Sequence, residues 1–180
     1  LRRSLPVQSG FAKFLDLDRC YTINRIPTDN GKELILINFH LSAYTTDPAI
    51  ADEQLAMLYE DISKEYEKGN YVICGGDFNK DLLKSSAEIF GVSGDDYSWA
   101  KAFPYENVPD EITVIAPFDE TAPVPSCRNA DKPWDPETSF QLTVDGFIIS
   151  DNVKCVEANV KDMQFACSDH NPVYMNFVLE

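Results

Sequence analysis

An α/β fold is what this sequence predicts, and three features predict it. Short apolar, β-branched runs recur at Glu33–Phe39, Tyr71–Cys74 and Phe140–Ser150, as in strands buried on both faces. Between the first two lies one long amphipathic segment with helical periodicity. A last run, Val173–Leu179, sets Val173, Met175, Phe177 and Leu179 against Tyr174, Asn176 and Val178 with the period of a strand. At 180 residues the chain can hold one domain with a substantial core.

Taken in order, Phe11–Leu17 and Tyr21–Ile26 alternate loosely and are expected as strands. Thr28-Asp29-Asn30-Gly31-Lys32 follows, and since Asn and Gly both tolerate positive φ, a tight antiparallel hairpin should deliver Asn38 and His40 to a strand end. Pro48 is well placed to begin a helix. Leu55, Leu58, Tyr59, Ile62 and Tyr66 form its apolar face, while Glu53, Glu60, Asp61, Lys64, Glu65, Glu67 and Lys68 occupy most of the other. Gly69-Asn70 suits a left-handed cap. The helix joins the His40 strand to the Tyr71 strand, a β-helix-β unit whose two strand ends can lie on the same side of one sheet.

Lys80–Phe90 reads as a second, shorter helix. From about 91 to 138 the pattern breaks down: seven of the eleven prolines lie between Pro104 and Pro136, so this stretch is expected as irregular structure with one strand, Ile112–Ile115. Phe140–Ser150 places Asp145 in mid-strand, where a carboxylate is costly unless a donor or cation pairs with it. Lys154–Val160 completes the set before the final strand.

With 15 basic against 30 acidic residues the net charge is −15, which repels polyanions at long range, so a phosphate or nucleic-acid substrate would need local cations. No run of 18 apolar residues exists to cross a membrane as a helix. Five cysteines, odd in number and without a C-x-x-C pair, favour neither a disulfide framework nor a zinc site, and Cys74 and Cys155 read as buried thiols.

The most suggestive stretch is Tyr71–Asn79. Its apolar run reads as a strand, Gly75-Gly76 would let the backbone turn sharply, and Asp77 and Asn79 share one side of an extended segment. These two residues either face a common polar target or form an Asx-type turn. The two histidines, His40 after a strand and His170 beside Asp169, are singly as well explained by structure as by chemistry. Together with Asp77, Asn79 and Asp145 they suit phosphoester hydrolysis. Asp145 could accept from His170 and fix its tautomer, Asp169 could hold a hard cation, and an imidazolium could steady the phosphoryl oxygens.

Four motifs, Asn38-Phe39-His40-Leu41, Gly76-Asp77-Phe78-Asn79, Val144-Asp145-Gly146-Phe147 and Ser168-Asp169-His170-Asn171-Pro172, resemble in that order the later motifs of the endonuclease/exonuclease/phosphatase superfamily. The resemblance runs from about Leu34 to the C-terminus. It implies a deoxyribonuclease-I-like four-layer α/β sandwich, with residues 1–180 a single partial domain, and Mg²⁺-dependent cleavage of a phosphoester, with Mn²⁺ or Ca²⁺ as alternatives. By matching position, Asp77 would orient or deprotonate water and Asn79 would contact metal or phosphate. Asp169 would ligate metal, His170 would bind the scissile phosphate, Asp145 would orient His170, and His40 would be a second phosphate-side donor. Exonuclease-III-like repair enzymes carry Tyr at the His40 position, so this chain looks nearer the nuclease, sphingomyelinase and phosphatase branches.

The family's early Asn and its Gln-Glu metal ligand are not found here. The expectation is therefore a chain lacking the N-terminal portion of the fold, weak or inactive alone, with an exposed sheet face that could self-associate. A non-catalytic relative that binds a cation or partner is the alternative. The substrate could be a small molecule, a lipid headgroup or a nucleic acid. The proline-rich region with Trp99, Arg128 and Trp134 is either where selectivity resides or a surface loop.

Overall fold

The computed structural model describes residues 1–7, 17–43, 49–91 and 99–180. In chain order these form β1 (Arg2–Ser4), β2 (Cys20–Pro27), β3 (Glu33–His40), α1 (Ala49–Glu67), β4 (Tyr71–Asp77), α2 (Ser86–Phe90), β5 (Ile112–Ile115), β6 (Cys127–Arg128), β7 (Gln141–Leu142), β8 (Asp145–Ser150), β9 (Val153–Val160) and β10 (Val173–Leu179). One six-stranded sheet has the order β1-β2-β3-β4-β8-β5, while β9 pairs with β10 and β6 with β7. Most of the expected Phe11–Leu17 strand, and the helix start at Pro48, lie outside the described residues.

β2 and β3 pair antiparallel, with Tyr21 opposite Phe39. Only Gly31 in their connection takes a positive φ, 81°. Asn30 contributes through its side chain instead, its Oδ1 accepting from Thr28 Oγ1 at 2.7 Å and Lys32 N at 3.0 Å. The loop is thus closed by the Thr28 N to Lys32 O bond of 2.9 Å, one residue longer than a two-residue Asn-Gly turn.

β3 and β4 run parallel, joined through α1. Leu55, Leu58 and Ile62 on the helix pack over Ile35, Ile37, Val72, Cys74 and Ile148 of the sheet. Each such buried side chain contributes about 1.5–3 kcal/mol. Asp61 and Glu65, assigned to the solvent face by periodicity, are buried. Asp61 pairs with Arg3 and accepts from the Tyr21 hydroxyl at 2.6 Å. Glu65 accepts from Arg25 at 2.5 Å, Lys68 at 2.8 Å and Asn70 at 2.8 Å. Lys68 lies at helical spacing from Glu65, but Arg3, Tyr21 and Arg25 come from β1 and β2, and nothing in the helix's own spacing could reveal them.

Burial alone would raise the Glu65 carboxyl, but the bonds from Arg25, Lys68 and Asn70 win and hold it near 2, below its ordinary 4.5. Glu65→Gln should lower urea-unfolding stability by about 1–3 kcal/mol at pH 7. A depressed acid contributes stability that is complete above the unfolded value and lost as pH falls through the folded one. The gap between parent and variant should therefore close between pH 4.5 and 2.

The other face of β4 and β8 is covered by the β9–β10 pair, with Leu34, Leu36, Ile73, Ile149, Cys155, Met175 and Leu179 in one cluster. Three layers result: helix, six-stranded sheet, two-stranded hairpin. The pairing shifts register between Asn176 and Phe177. That bulge interrupts the alternation expected for the last strand, and Phe177 and Val178 are both exposed. All five cysteines are free, Cys74 buried and Cys155 half-buried.

Two further expectations are corrected. The Lys80–Phe90 helix is only Ser86–Phe90, because Asp81 binds the Leu83 and Ser86 amides, at 3.0 Å each, and so stabilises a turn ahead of it. The Phe140–Ser150 strand is two, β7 and β8. The break falls at Thr143-Val144, whose carbonyls accept from Leu82 N and Phe78 N at 2.9 Å each, in place of a continuous ladder.

Candidate active site

Three polar residues share one row of the main sheet. His40 ends β3 in register with Asp77 at the end of β4, and Asp77 is in register with Asp145, the first residue of β8. Asp145 therefore stands at a strand end and not in mid-strand. Nor do Gly75 and Gly76 turn the chain: neither has a positive φ, which belongs instead to Asn79 at 50°. A Cβ on Gly76 would lie 2.0 Å from the Phe39 carbonyl oxygen and one on Gly146 2.7 Å from that of Ile115. Glycine is needed here so that β3, β4, β8 and β5 can approach closely enough to bring the row together.

His170 reaches this row from outside the sheet. The segments around Cys127 and His170 form an antiparallel bridge, flanked by the Arg128 N to Asp169 O bond of 2.9 Å and the Asn171 N to Ser126 O bond of 2.8 Å. His170 Nδ1 then lies 2.8 Å from Asp145 Oδ2. A carboxylate only accepts, so Nδ1 carries the proton and Nε2 faces Asp77 Oδ2 at 4.0 Å. His40 Nε2 approaches the same Asp77 oxygen at 3.3 Å. Asp77, Asp145 and His170 together place three metal-capable atoms within 4.8 Å of one another.

Asp77 uses its other oxygen locally: Oδ1 accepts from Asn79 N at 2.7 Å. Of the alternatives in the sequence, the structure shows the Asx turn on Oδ1, while Oδ2 is left facing His40 and His170. Asn79 is buried and its Nδ2 donates to Leu41 O at 2.8 Å, which leaves its Oδ1 as the free polar atom. Asp169 falls outside the Asp77–Asp145–His170 group; its Oδ1 lies 3.3 Å from Ser168 Oγ.

Electrostatics divides the site. Burial, and next the charge of Asp145, push the Asp77 carboxyl up to about 6. The bond to Asp145, and next the contact with Cys127, hold the His170 imidazolium well above its ordinary value, against the opposing effect of burial. His40 is lowered by burial and then by Arg19 and His170, so it is neutral at pH 7. One charged imidazole, one neutral imidazole and one poised carboxyl thus face a common space.

Two neighbours gave no signal in the sequence. Ser126, fully buried, donates from Oγ to Asp145 Oδ2 at 2.8 Å and accepts from Val144 N and Asp145 N at 3.0 and 3.1 Å, which fixes the carboxylate. Cys127 Sγ lies 3.5 Å from His170 Nε2. Both sit in the proline-rich stretch, where no periodicity marks them. Beside them Trp134 packs edge-on against Phe165, 4.7 Å between centroids, and both line a cavity of about 410 Å³ with Pro125, Gln141 and Asn171. Trp99 instead donates to Asn129 Oδ1 at 2.9 Å.

No protein-family model and no curated protein matches the chain. Solved structures do. A mannosyl-6-phosphatase of Bacteroides thetaiotaomicron VPI-5482 is 19% identical, with 91% of this chain and 58% of that one covered at a TM-score of 0.56. An endonuclease/exonuclease/phosphatase family protein of Bacteroides thetaiotaomicron is 16% identical, with 91% and 57% covered at 0.57. ANGEL2, a 2′,3′-cyclic phosphatase solved with adenosine-2′,3′-vanadate, is 16% identical, with 99% and 66% covered at 0.60. The chain spans less than two thirds of the length of the first two. Identities this low speak to architecture, and the architecture is that of the deoxyribonuclease-I-like endonuclease/exonuclease/phosphatase fold, spanned by this chain for somewhat over half of its length in those proteins.

Proposed function

We propose that this chain carries the phosphate-side and proton-transfer residues of a divalent-metal-dependent phosphoesterase, active in a full-length form and weak by itself. The observation that carries the reading is the register row His40–Asp77–Asp145 with His170 closed over it, a carboxyl and two imidazoles converging on one space. Asp77, poised near 6, is placed to orient water and take its proton. His170, kept cationic by Asp145, supplies charge and a donor at Nε2 for a phosphoryl oxygen. Neutral His40 adds a second donor on the far side of Asp77.

Hard oxygen donors suit Mg²⁺, which is commonly held by one or two carboxylates, waters and the substrate's own phosphate. Asn79 Oδ1 and the Asp169 carboxylate would supply oxygens beside the Asp77–Asp145–His170 group, whose metal-capable atoms lie within 4.8 Å of one another; the cation would offset charge on the phosphoryl group. Hydrolysis of a generic phosphodiester and a phosphomonoester by the full-length protein, assayed with Mg²⁺ and after chelation, tests the reading. His170→Ala should lower kcat/KM by at least about 10⁴-fold, and chelation should abolish turnover. Equal rates in parent and variant would replace the enzyme with a cation-binding relative.

A further inference from the structure

Two arginines, Arg19 and Arg128, bury an Nε without an acceptor, but Arg128 commits its Nη1 to backbone carbonyls, and Arg19 has no side-chain partner among the described residues. Arg3 and Arg25 each pair with carboxylates, and Arg128 Nη1 donates to the Asn129 and Lys132 carbonyls. Arg19 has neither kind of partner: its Nε is buried without an acceptor, and among the described residues no carboxylate lies within ion-pair distance. That is unexpected in a chain with 30 acidic and 15 basic residues. A buried donor without an acceptor marks a place where something else completes the bond.

Its position says what. Arg19 immediately precedes β2, and its carbonyl accepts from Leu5 N at 2.9 Å, which ties its backbone to the segment after β1. Continuing the Tyr21–Phe39 register brings it to the end of the sheet where His40, Asp77 and Asp145 stand. The guanidinium is near enough for its charge to act on both His40 and Asp77. Those two and His170 already face a common space, yet only one of the three side chains is a cation at neutral pH.

On the phosphoesterase reading above, we propose that Arg19 is a substrate-binding residue whose guanidinium grips two non-bridging oxygens of the phosphoryl group beside His40. A guanidinium presents parallel N–H donors that match two such oxygens, and a fixed cation of this kind gives a strongly acidic protein its local attraction for an anion.

The probe is inorganic phosphate, titrated into the chain by calorimetry with saturating Mg²⁺ and again without it. Arg19→Gln should weaken binding about 10- to 100-fold, and Arg19→Lys should recover part of that loss by charge without the fork. A Kd for Arg19→Gln within twofold of the parent overturns the proposal. So does weakening that follows a matching fall in thermal stability in both variants alike. Because no turnover is read, an absence of hydrolysis would sink the enzymatic reading and leave this one standing, while unchanged phosphate binding would do the reverse.

Discussion

The Asp77→Asn protein is expected to unfold at a higher temperature than the parent at pH 7 and to hydrolyse phosphoesters about 10³–10⁴-fold more slowly. The gain in stability follows from linkage. Burial, and next the Asp145 charge, raise the Asp77 carboxyl from 3.8 to about 6, so the folded state binds this proton more tightly than the unfolded chain does. That contribution is complete below the unfolded value and lost as pH rises through the folded one, which leaves the ionised carboxylate a liability of about 2–3 kcal/mol at pH 7. An asparagine removes the liability and keeps an oxygen for the Asn79 amide. For a chain of this size the melting temperature should rise by roughly 5–10 °C. Below pH 4 the two proteins should melt alike. The parent's kcat/KM should climb through pH 6 as the carboxyl becomes a competent base. Undiminished turnover in the Asp77→Asn variant would remove Asp77 from water activation, and a lower melting temperature would contradict the electrostatics.

Asp145→Asn should be the more damaging change. Asp145 Oδ2 accepts from both His170 Nδ1 and Ser126 Oγ at 2.8 Å, so it fixes the ring's tautomer, its orientation and its charge. With a carboxamide there the imidazole returns toward its ordinary 6.5 and is free to flip, and kcat/KM should fall by about 10⁴-fold. Ring-proton NMR titration gives a readout independent of turnover: the His170 transition should move down into the neutral range while that of His40 stays below 6.5. The raised value also contributes stability, in full below 6.5 and lost only as pH climbs toward the folded value. The variant's deficit should accordingly be largest in mild acid. A His170 transition that does not move would mean that Asp145 is not its partner in solution.

Much of this architecture was legible in one dimension because hydrophobic periodicity reports burial. Glu33–Phe39, Ile112–Ile115 and Val173–Leu179 appear as strands near the expected bounds, since their side chains are sorted by the sheet face they meet. Where a residue's surroundings come from distant segments, periodicity fails. Asp61 and Glu65 look solvent-facing until Arg3, Tyr21 and Arg25 arrive from β1 and β2. Gly75-Gly76 reads as a turn until the Phe39 carbonyl is seen against it. The same holds for the site. His40 and Asp77 at strand ends, His170 at a strand entrance and Asp145, read as a costly mid-strand carboxylate, were visible in the sequence, and the structure brings them together. Asp169 lies outside that group, and Ser126, Cys127 and Arg19 acquire meaning only from the neighbours that the fold gives them.

The glycine-dependent packing of β3, β4 and β8 ties the side chains of His40, Asp77 and Asp145 to a single ladder of main-chain bonds, whose spacing of about 4.8 Å is a constant of sheets. Nothing in the connecting segments sets that spacing. Outside Ser126–Arg128, which hold Asp145 and His170, the proline-rich stretch can therefore gain, lose or exchange residues, and with them the shape of the Trp134–Phe165 cavity, while the His40–Asp77–Asp145 row stays in place. On the phosphoesterase reading, substrate preference is free to diverge in those outer loops while the row on the sheet is kept.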